Sequence, residues 1–276
     1  MIKILKLGEE GVISERLNPD SRKRFEQSHH AYCQVQKGEC VLMFYYSDIS
    51  RSVCTHEKLC IYCGGGELVA ATDSQKCREL LNSLENDKNC FVQLSDFLLL
   101  LTGEDIFALE ELENAITQLE DMLISSGYVE KNGTKQIMGL RHRLLNMKRY
   151  YAQLSLIGSE LAEIREAGIP QEAQKRFVLF NKRTDRLMDY VTQMREYITQ
   201  VREAYQAQVD IEQNQIMKTF TVITAVFLPL TLLVGWYGMN LQMPEYSWKY
   251  GYPFAIVLSI AICAVCMLYF KRKKWF

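Results

Sequence analysis

Two stretches of this sequence, Thr219 to Gly238 and Pro253 to Phe270, are apolar and carry no charge. Each approaches the roughly 20 residues that a helix needs to cross a bilayer. Backbone groups in lipid must be satisfied within their own segment, so both stretches are expected to be helices. At the end of the first lie Gly235, Trp236, Tyr237, Gly238, Met239 and Asn240, followed by Leu241, Gln242, Met243, Pro244 and Glu245. That stretch reads as a short turn on the far side of a membrane. Lys271, Arg272, Lys273 and Lys274 follow the second span directly, whereas the turn carries only Lys249. Positive flanks stay in the cytoplasm. The expectation is a multi-pass protein of the cell (plasma or inner) membrane, with both termini cytoplasmic and Asn240 outside.

The residues before Thr219 are polar enough to be soluble. A net charge of -1 makes no case for a nucleic-acid partner. Met1 to Lys6 is broken by charge too early for a secretory signal, so the large N-terminal part is expected to stay in the cytoplasm. Its first hundred residues read as mixed α/β. Cys40 to Tyr46 is strand-like, and Leu59 to Cys63 and Leu68 to Ala71 flank a hairpin turn at Gly64, Gly65, Gly66 and Glu67. Ser74 is a cap for a short helix carrying Leu80, Leu81 and Leu84.

After Gly103 the pattern turns helical. Leu109, Leu112, Ile116, Leu119 and Leu123 advance in steps of three and four, the spacing of one buried helix face. A second helix carries Ile137, Leu140, Leu144, Met147, Tyr151 and Leu154 and ends near Gly168, Ile169 and Pro170. Two helices with a short link should pack antiparallel. From Gln171 no glycine intervenes before Gly235, and Pro229 is the one proline. Tyr190, Met194, Tyr197, Val201 and Tyr205 continue an apolar stripe. A helix of that length is a rod on the order of 100 Å, expected to be bundled with copies of itself.

The fold class is therefore α+β. A cytoplasmic mixed α/β domain (1–102) and an antiparallel helical pair (103–170) precede a very long stalk helix (171–218) that continues into the first span (219–238). An external loop (239–252), the second span (253–270) and a basic cytoplasmic tail (271–276) complete it.

One face of the first span stands out. With Thr224 at zero and 100° per residue, Thr231, Gly235 and Gly238 fall within about 40°, as does Leu228, and Thr221, Asn214, Asp210 and Glu203 within about 80°. Small residues and threonines are also common where membrane helices pack closely. The other reading is a pore lining, which one hairpin cannot enclose and which therefore requires an oligomer. Pro229 fits a bend whose freed backbone group is met by a neighbour such as Thr231.

These residues carry a resemblance. Pro229, Leu230 and Thr231, then Tyr237, Gly238, Met239 and Asn240, then Met243, Pro244 and Glu245, then Trp248 to Pro253, and a second span closed by Lys271 to Phe276 together resemble the CorA family of magnesium and cobalt channels. The match is close from Asn214 to Phe276; upstream it is one of architecture. The resemblance implies a funnel-shaped homopentamer whose first spans line the pore, a passive channel for Mg2+ that also admits Co2+ and Ni2+, and no enzyme chemistry. It places Asn214, Phe220, Leu228, Thr231 and Asn240 at pore-facing positions, although the family usually has a smaller aliphatic residue where Phe220 stands.

Mg2+ holds six oxygen ligands and gives up its waters reluctantly. A pore for it is best served by neutral acceptors that bind the water shell, and a ring of Asn240 amides would supply them. No acidic residue lies within the first span to strip the ion. Gly238 frees the backbone to turn. Met239 is a poor ligand for a hard cation and is expected to pack. Thr231 and Thr224 offer hydroxyls, Gly235 shares their face, and Leu228 and Phe220 suit apolar constrictions that gate by dewetting. Glu245 is a candidate for attracting cations to the mouth, with Lys249 four residues away to offset it.

The family also senses cytosolic Mg2+ through acids on neighbouring soluble domains, which would make Mg2+ regulatory as well as transported. The long-helix position for such an acid is Leu179 here, with Asp185, Asp189, Glu196 and Glu203 as nearby candidates. Cys54, His56, Cys60 and Cys63 have spacings a zinc site could use, yet Cys60 and Cys63 fall on a predicted strand, where residues three apart point to opposite faces. Two alternatives stay open: a relative that transports Zn2+, and a membrane-anchored module that binds or senses metal without transport. No phosphate-cradling loop is present, since Gly64 to Gly66 lack the following Lys and Ser/Thr.

Overall fold

The structure, a computed structural model, describes residues 1–17, 22–23, 25, 31–36, 38–50, 56–125, 132–164, 169–239, 248–273 and 275. It divides into two compact units, Met1–Glu203 and Ala204–Phe276.

The first unit is built on a five-stranded sheet in the order β1-β5-β4-β3-β2. The strands are β1 (Ile2–Leu5), β2 (Tyr32–Gln36), β3 (Glu39–Ser47), β4 (His56–Gly64) and β5 (Glu67–Thr72). β1 runs parallel to β5 and all other neighbours are antiparallel. The β4–β5 hairpin pairs Gly64 with Glu67 around Gly65 (φ 58°) and Gly66 (φ 78°). Two positive φ values in a two-residue loop match the right-handed twist of the strands, and glycine adopts them without steric cost.

Both faces of the sheet are covered, which is why β3 and β4 read as nearly continuous apolar runs rather than alternating ones. Val41, Met43, Cys60, Tyr62, Val69 and Ala71 pack with Ile13 of a short helix α1 (Gly11–Glu15) and with Phe25. The opposite parity, including Leu42, Phe44, Ile61, Cys63 and Ala70, is also buried. Helix α2 (Gln75–Asn82) begins after Ser74, whose side chain makes no capping bond. Helix α3 (Cys90–Leu101) has Asn89 as its N-cap, the side chain accepting from the Phe91 N–H at 2.9 Å. No periodicity argument anticipated α3, because it is apolar nearly all round and packs against β4 and β5.

Helix α4 (Asp105–Ser125) buries Leu109, Leu112, Ile116, Leu119 and Leu123. Helix α5 (Gly133–Ala162) buries Ile137, Leu144, Met147, Tyr151 and Leu154 and packs on β2 and β3. It ends at Ala162, several residues before the expected Gly168. Helix α6 (Gln171–Tyr237) is 67 residues long with Pro229 inside it. Met194, Val201 and Tyr205 of the expected stripe are buried, whereas Tyr190 and Tyr197 are not. The buried positions in the first unit are Ala173, Phe177, Phe180, Thr184, Leu187, Val191, Met194, Ile198 and Val201. Tyr190 and Tyr197 are half-buried at the edge and donate their hydroxyls to Glu113 and Glu120 of α4. A phenol has an apolar ring and a polar tip, so it serves a boundary better than a core.

The second unit contains the rest of α6, from Ala204, and helix α7 (Gly251–Arg272). Both helices are long and apolar enough to cross a membrane.

Candidate functional site

Within the second unit the two helices share one seam. On α6, Val222 is buried and Ala225, Val226, Pro229, Leu230, Leu233 and Tyr237 are half-buried. On α7 the less exposed positions are Ala255, Leu258, Ser259, Ile262, Cys263, Cys266 and Phe270, again steps of three and four. Measured from Thr224, the α6 seam is centred about 180° away.

The opposite side of α6 is open. Asn214, Phe220, Thr224, Leu228, Thr231 and Gly235 are all exposed, Phe220 at 63% and Leu228 at 70%. A Cβ added at Gly235 would meet nothing within 4 Å. The seam that α7 covers is apolar, and the threonine and glycine stripe opposite it is bare, as are the flanking Phe227, Leu232 and Val234.

The threonine hydroxyls from Thr219 to Thr231 share one arrangement. Thr224 donates to the Phe220 carbonyl at 2.9 Å and Thr231 to the Phe227 carbonyl at 2.8 Å. Thr221 and Thr219 donate to Met217 and Gln215 at 2.7 and 3.1 Å. A hydroxyl has one proton and two lone pairs. With the proton held by the residue four positions back, the oxygen faces outward as an acceptor only. The expectation that Thr231 meets the group freed by Pro229 is therefore corrected. That group is the Ala225 carbonyl, out of reach of a side chain that bonds at 227.

At the outer end, the Gly238 N–H reaches the Val234 carbonyl at 2.8 Å, and a Cβ on Gly238 would lie 2.9 Å from that oxygen. Glycine here lets the backbone close tightly on the last turn. The Met239 N–H bonds the Trp236 carbonyl at 3.3 Å, and its side chain is exposed rather than packed within the single chain. Asn240 and Glu245 lie outside the described residues. Trp248 stacks edge-on with Tyr250 at 6.3 Å and tilts against Phe254 at 5.9 Å, an aromatic group of the kind that sits at membrane interfaces. At the other end of α7, Lys271 and Arg272 occupy the last turn.

The acids considered for metal sensing are dispersed. Asp185 accepts from Ser155 Oγ at 2.7 Å, and Asp185, Asp189, Glu196 and Glu203 are all exposed along α6. Among the described residues no three His, Cys, Asp or Glu side chains are placed to hold a metal ion. The cysteine spacing is divided between the faces of the sheet. Cys60 lies with α1, its Sγ 3.6 Å from Glu10, and burial pushes its thiol up to about 12. Cys63 lies on the other face beside Cys90, whose thiol is lowered to about 6 by a hydrogen bond from Cys63 and by backbone N–H groups at the start of α3. Cys54 is outside the described residues.

The model of the CorA-like Mg2+ transporter protein family matches residues 13–272. The chain belongs to this family. Its members are ion transporters rather than enzymes. This CorA-family chain is 30% identical over 174 residues to the cobalt/magnesium transport protein CorA of Thermotoga maritima, covering 62% of this chain and 49% of that one. It is 51% identical over 73 residues to the magnesium transport protein CorA of Mannheimia succiniciproducens, 26% of this chain and 23% of that one. The matches span about half or less of the length of these curated relatives. The CorA magnesium transporter of Methanocaldococcus jannaschii has the same fold, with a TM-score of 0.77 at 20% identity over 93% of this chain and 87% of that one.

Sequence reasoning found the stripe but missed two features of it. The acceptor-only state of the threonines follows from their position inside a helix and could have been read from the i−4 spacing. The side of α6 that α7 takes could not, since it depends on how the two spans pack.

Proposed function

We propose that the chain is one subunit of a passive divalent-cation channel that carries Mg2+, and with it Co2+, across the cell membrane as a homopentamer. The observation that carries this reading is the open stripe of α6. It is exposed, carries the hydroxyls of Thr224 and Thr231 between Phe220, Leu228 and Gly235, and lies opposite the seam that α7 covers. Copies of the chain set around an axis would turn that stripe inward.

The waters around Mg2+ point their protons outward, so a hydrated ion is matched by acceptors. Thr224 and Thr231, with their protons engaged, present oxygen lone pairs and no competing donor. Asn240 would add a ring of amide oxygens at the mouth, with Gly238 closing the turn that carries it. The absence of any carboxylate from Thr219 to Gly238 fits passage of the ion with its water shell. Leu228 and Phe220 would form the apolar constrictions, which resist ion passage when they dewet, and Asn214 would lie toward the inner end. Met239 would contact a neighbouring copy, and Glu245 would draw cations to the entrance. The basic end of α7 supports cytoplasmic termini.

The test is Mg2+ flux into liposomes holding the reconstituted protein, with and without Asn240→Ala. Flux should collapse in the variant while assembly by size is retained. Undiminished, Mg2+-selective flux would remove Asn240 from the pathway.

A further inference from the structure

A proline inside a helix leaves one carbonyl without its N–H partner, that of the residue four positions earlier. For Pro229 that residue is Ala225. Lipid offers no water to replace the missing donor. The threonines of the same span do not replace it either, because each is bonded to Gln215, Met217, Phe220 or Phe227. The donor that reaches the Ala225 carbonyl comes from the other span: Cys266 Sγ stands 3.8 Å from it.

We propose that Cys266 is a positioning residue whose thiol takes the place of the N–H that Pro229 lacks, fixing the second span against the weakest turn of the first. Three observations meet here. The carbonyl is the one that the proline frees. The side chain beside it is alanine, small enough to let another helix approach the backbone. Cys266 lies on the seam of α7 rather than on its exposed side. Ser259, the seam's hydroxyl, is already committed to its own helix, donating to the Ala255 carbonyl at 2.8 Å. A thiol is a weak donor, yet in apolar surroundings a weak bond to a freed carbonyl is favoured over none. Leu228 and Thr231 flank Pro229 on the opposite, open face, so the same bond sets the angle at which they stand. That last consequence rests on the channel reading; the bond does not.

The experiment uses the full chain in lipid nanodiscs and the infrared S–H stretching band, which is free of other protein absorptions. The difference between wild type and Cys266→Ala isolates the band of this thiol, with Cys263→Ala as the control for its neighbour on the same face. The band should appear at the lowered frequency of a bonded thiol and move to the free-thiol position in Pro229→Ala, where residue 229 regains its N–H. Thermal unfolding should follow the same logic. Cys266→Ala lowers the midpoint in the Pro229 background but not in Pro229→Ala, and Cys266→Ser retains the wild-type midpoint. A free-thiol band in the wild type, or an equal loss from Cys266→Ala in both backgrounds, would overturn the proposal. Should Pro229→Ala fail to assemble, the wild-type difference spectrum decides alone. Loss of flux in Asn240→Ala bears on the channel reading and leaves the S–H band unchanged.

Discussion

Replacing Asp105 by Asn should make the protein more stable at pH 8 and leave it unchanged near pH 4. Asp105 opens helix α4, is 6% exposed, and accepts a hydrogen bond from Tyr151 Oη of α5 at 3.0 Å. Tyr150 and Tyr46 close the site, their rings 6.1 Å apart. Burial raises the carboxyl from 3.8 to about 6. The Tyr151 bond and Lys76 oppose the rise, and Asp48 and Glu104 add to it. The folded-state value lies above the unfolded one, so the proton binds the folded protein more tightly. That contribution is complete below about pH 4 and is lost as pH rises through about 6. Two pKa units at 1.36 kcal/mol each put the penalty of holding the buried carboxylate at about 3 kcal/mol by pH 8.

An asparagine keeps the carbonyl that Tyr151 needs and cannot ionise. Unfolding followed by circular dichroism at pH 4.5, 6 and 8 should therefore show the two proteins diverging as pH rises. Parallel curves across this range would refute the reasoning.

Gly158 of α5 is buried where a Cβ would lie 3.0 Å from Asn181 Oδ1 and 3.1 Å from Asn181 Cα. Gly158→Val should force α5 and α6 apart and cost about 1–3 kcal/mol in thermal unfolding, and an unchanged midpoint would show that the contact yields freely. Tyr190→Phe and Tyr197→Phe each remove a bond to a carboxylate of α4. Each should cost about 1 kcal/mol, near the low end for bonds to charged groups because these are partly solvated. The two losses should add in the double variant, since the positions are two helical turns apart. A Tyr→Phe change that costs nothing, while Glu113→Gln destabilises, would assign the effect to the carboxylate alone.

Much of the fold was readable because its determinants are local. The apolar steps from Leu109 to Leu123 mark α4 whatever lies against it. The double glycine at 65 and 66 dictates its own hairpin. Other elements are set by what covers them. Helix α3 is apolar nearly all round, so its sequence has no period to read, and only the sheet beneath it and the loop at Asn89 define it. In the stalk, Tyr190 and Tyr197 look like core residues by spacing. Whether they are depends on Glu113 and Glu120, nearly eighty residues earlier in the chain.

The candidate pathway divides along the same line. By itself the sequence determined two charge-free spans, the loop residues Gly238, Met239 and Asn240, and a stripe through Thr224, Leu228, Thr231 and Gly235, because span length, motif and helical angle are properties of one segment. The tertiary structure decided which side of that helix the second span takes. It left the stripe open and brought Cys266 to the carbonyl that Pro229 frees. A helical period fixes the angles between side chains of one helix, but the direction in which a face points is set only by the neighbour that packs against it.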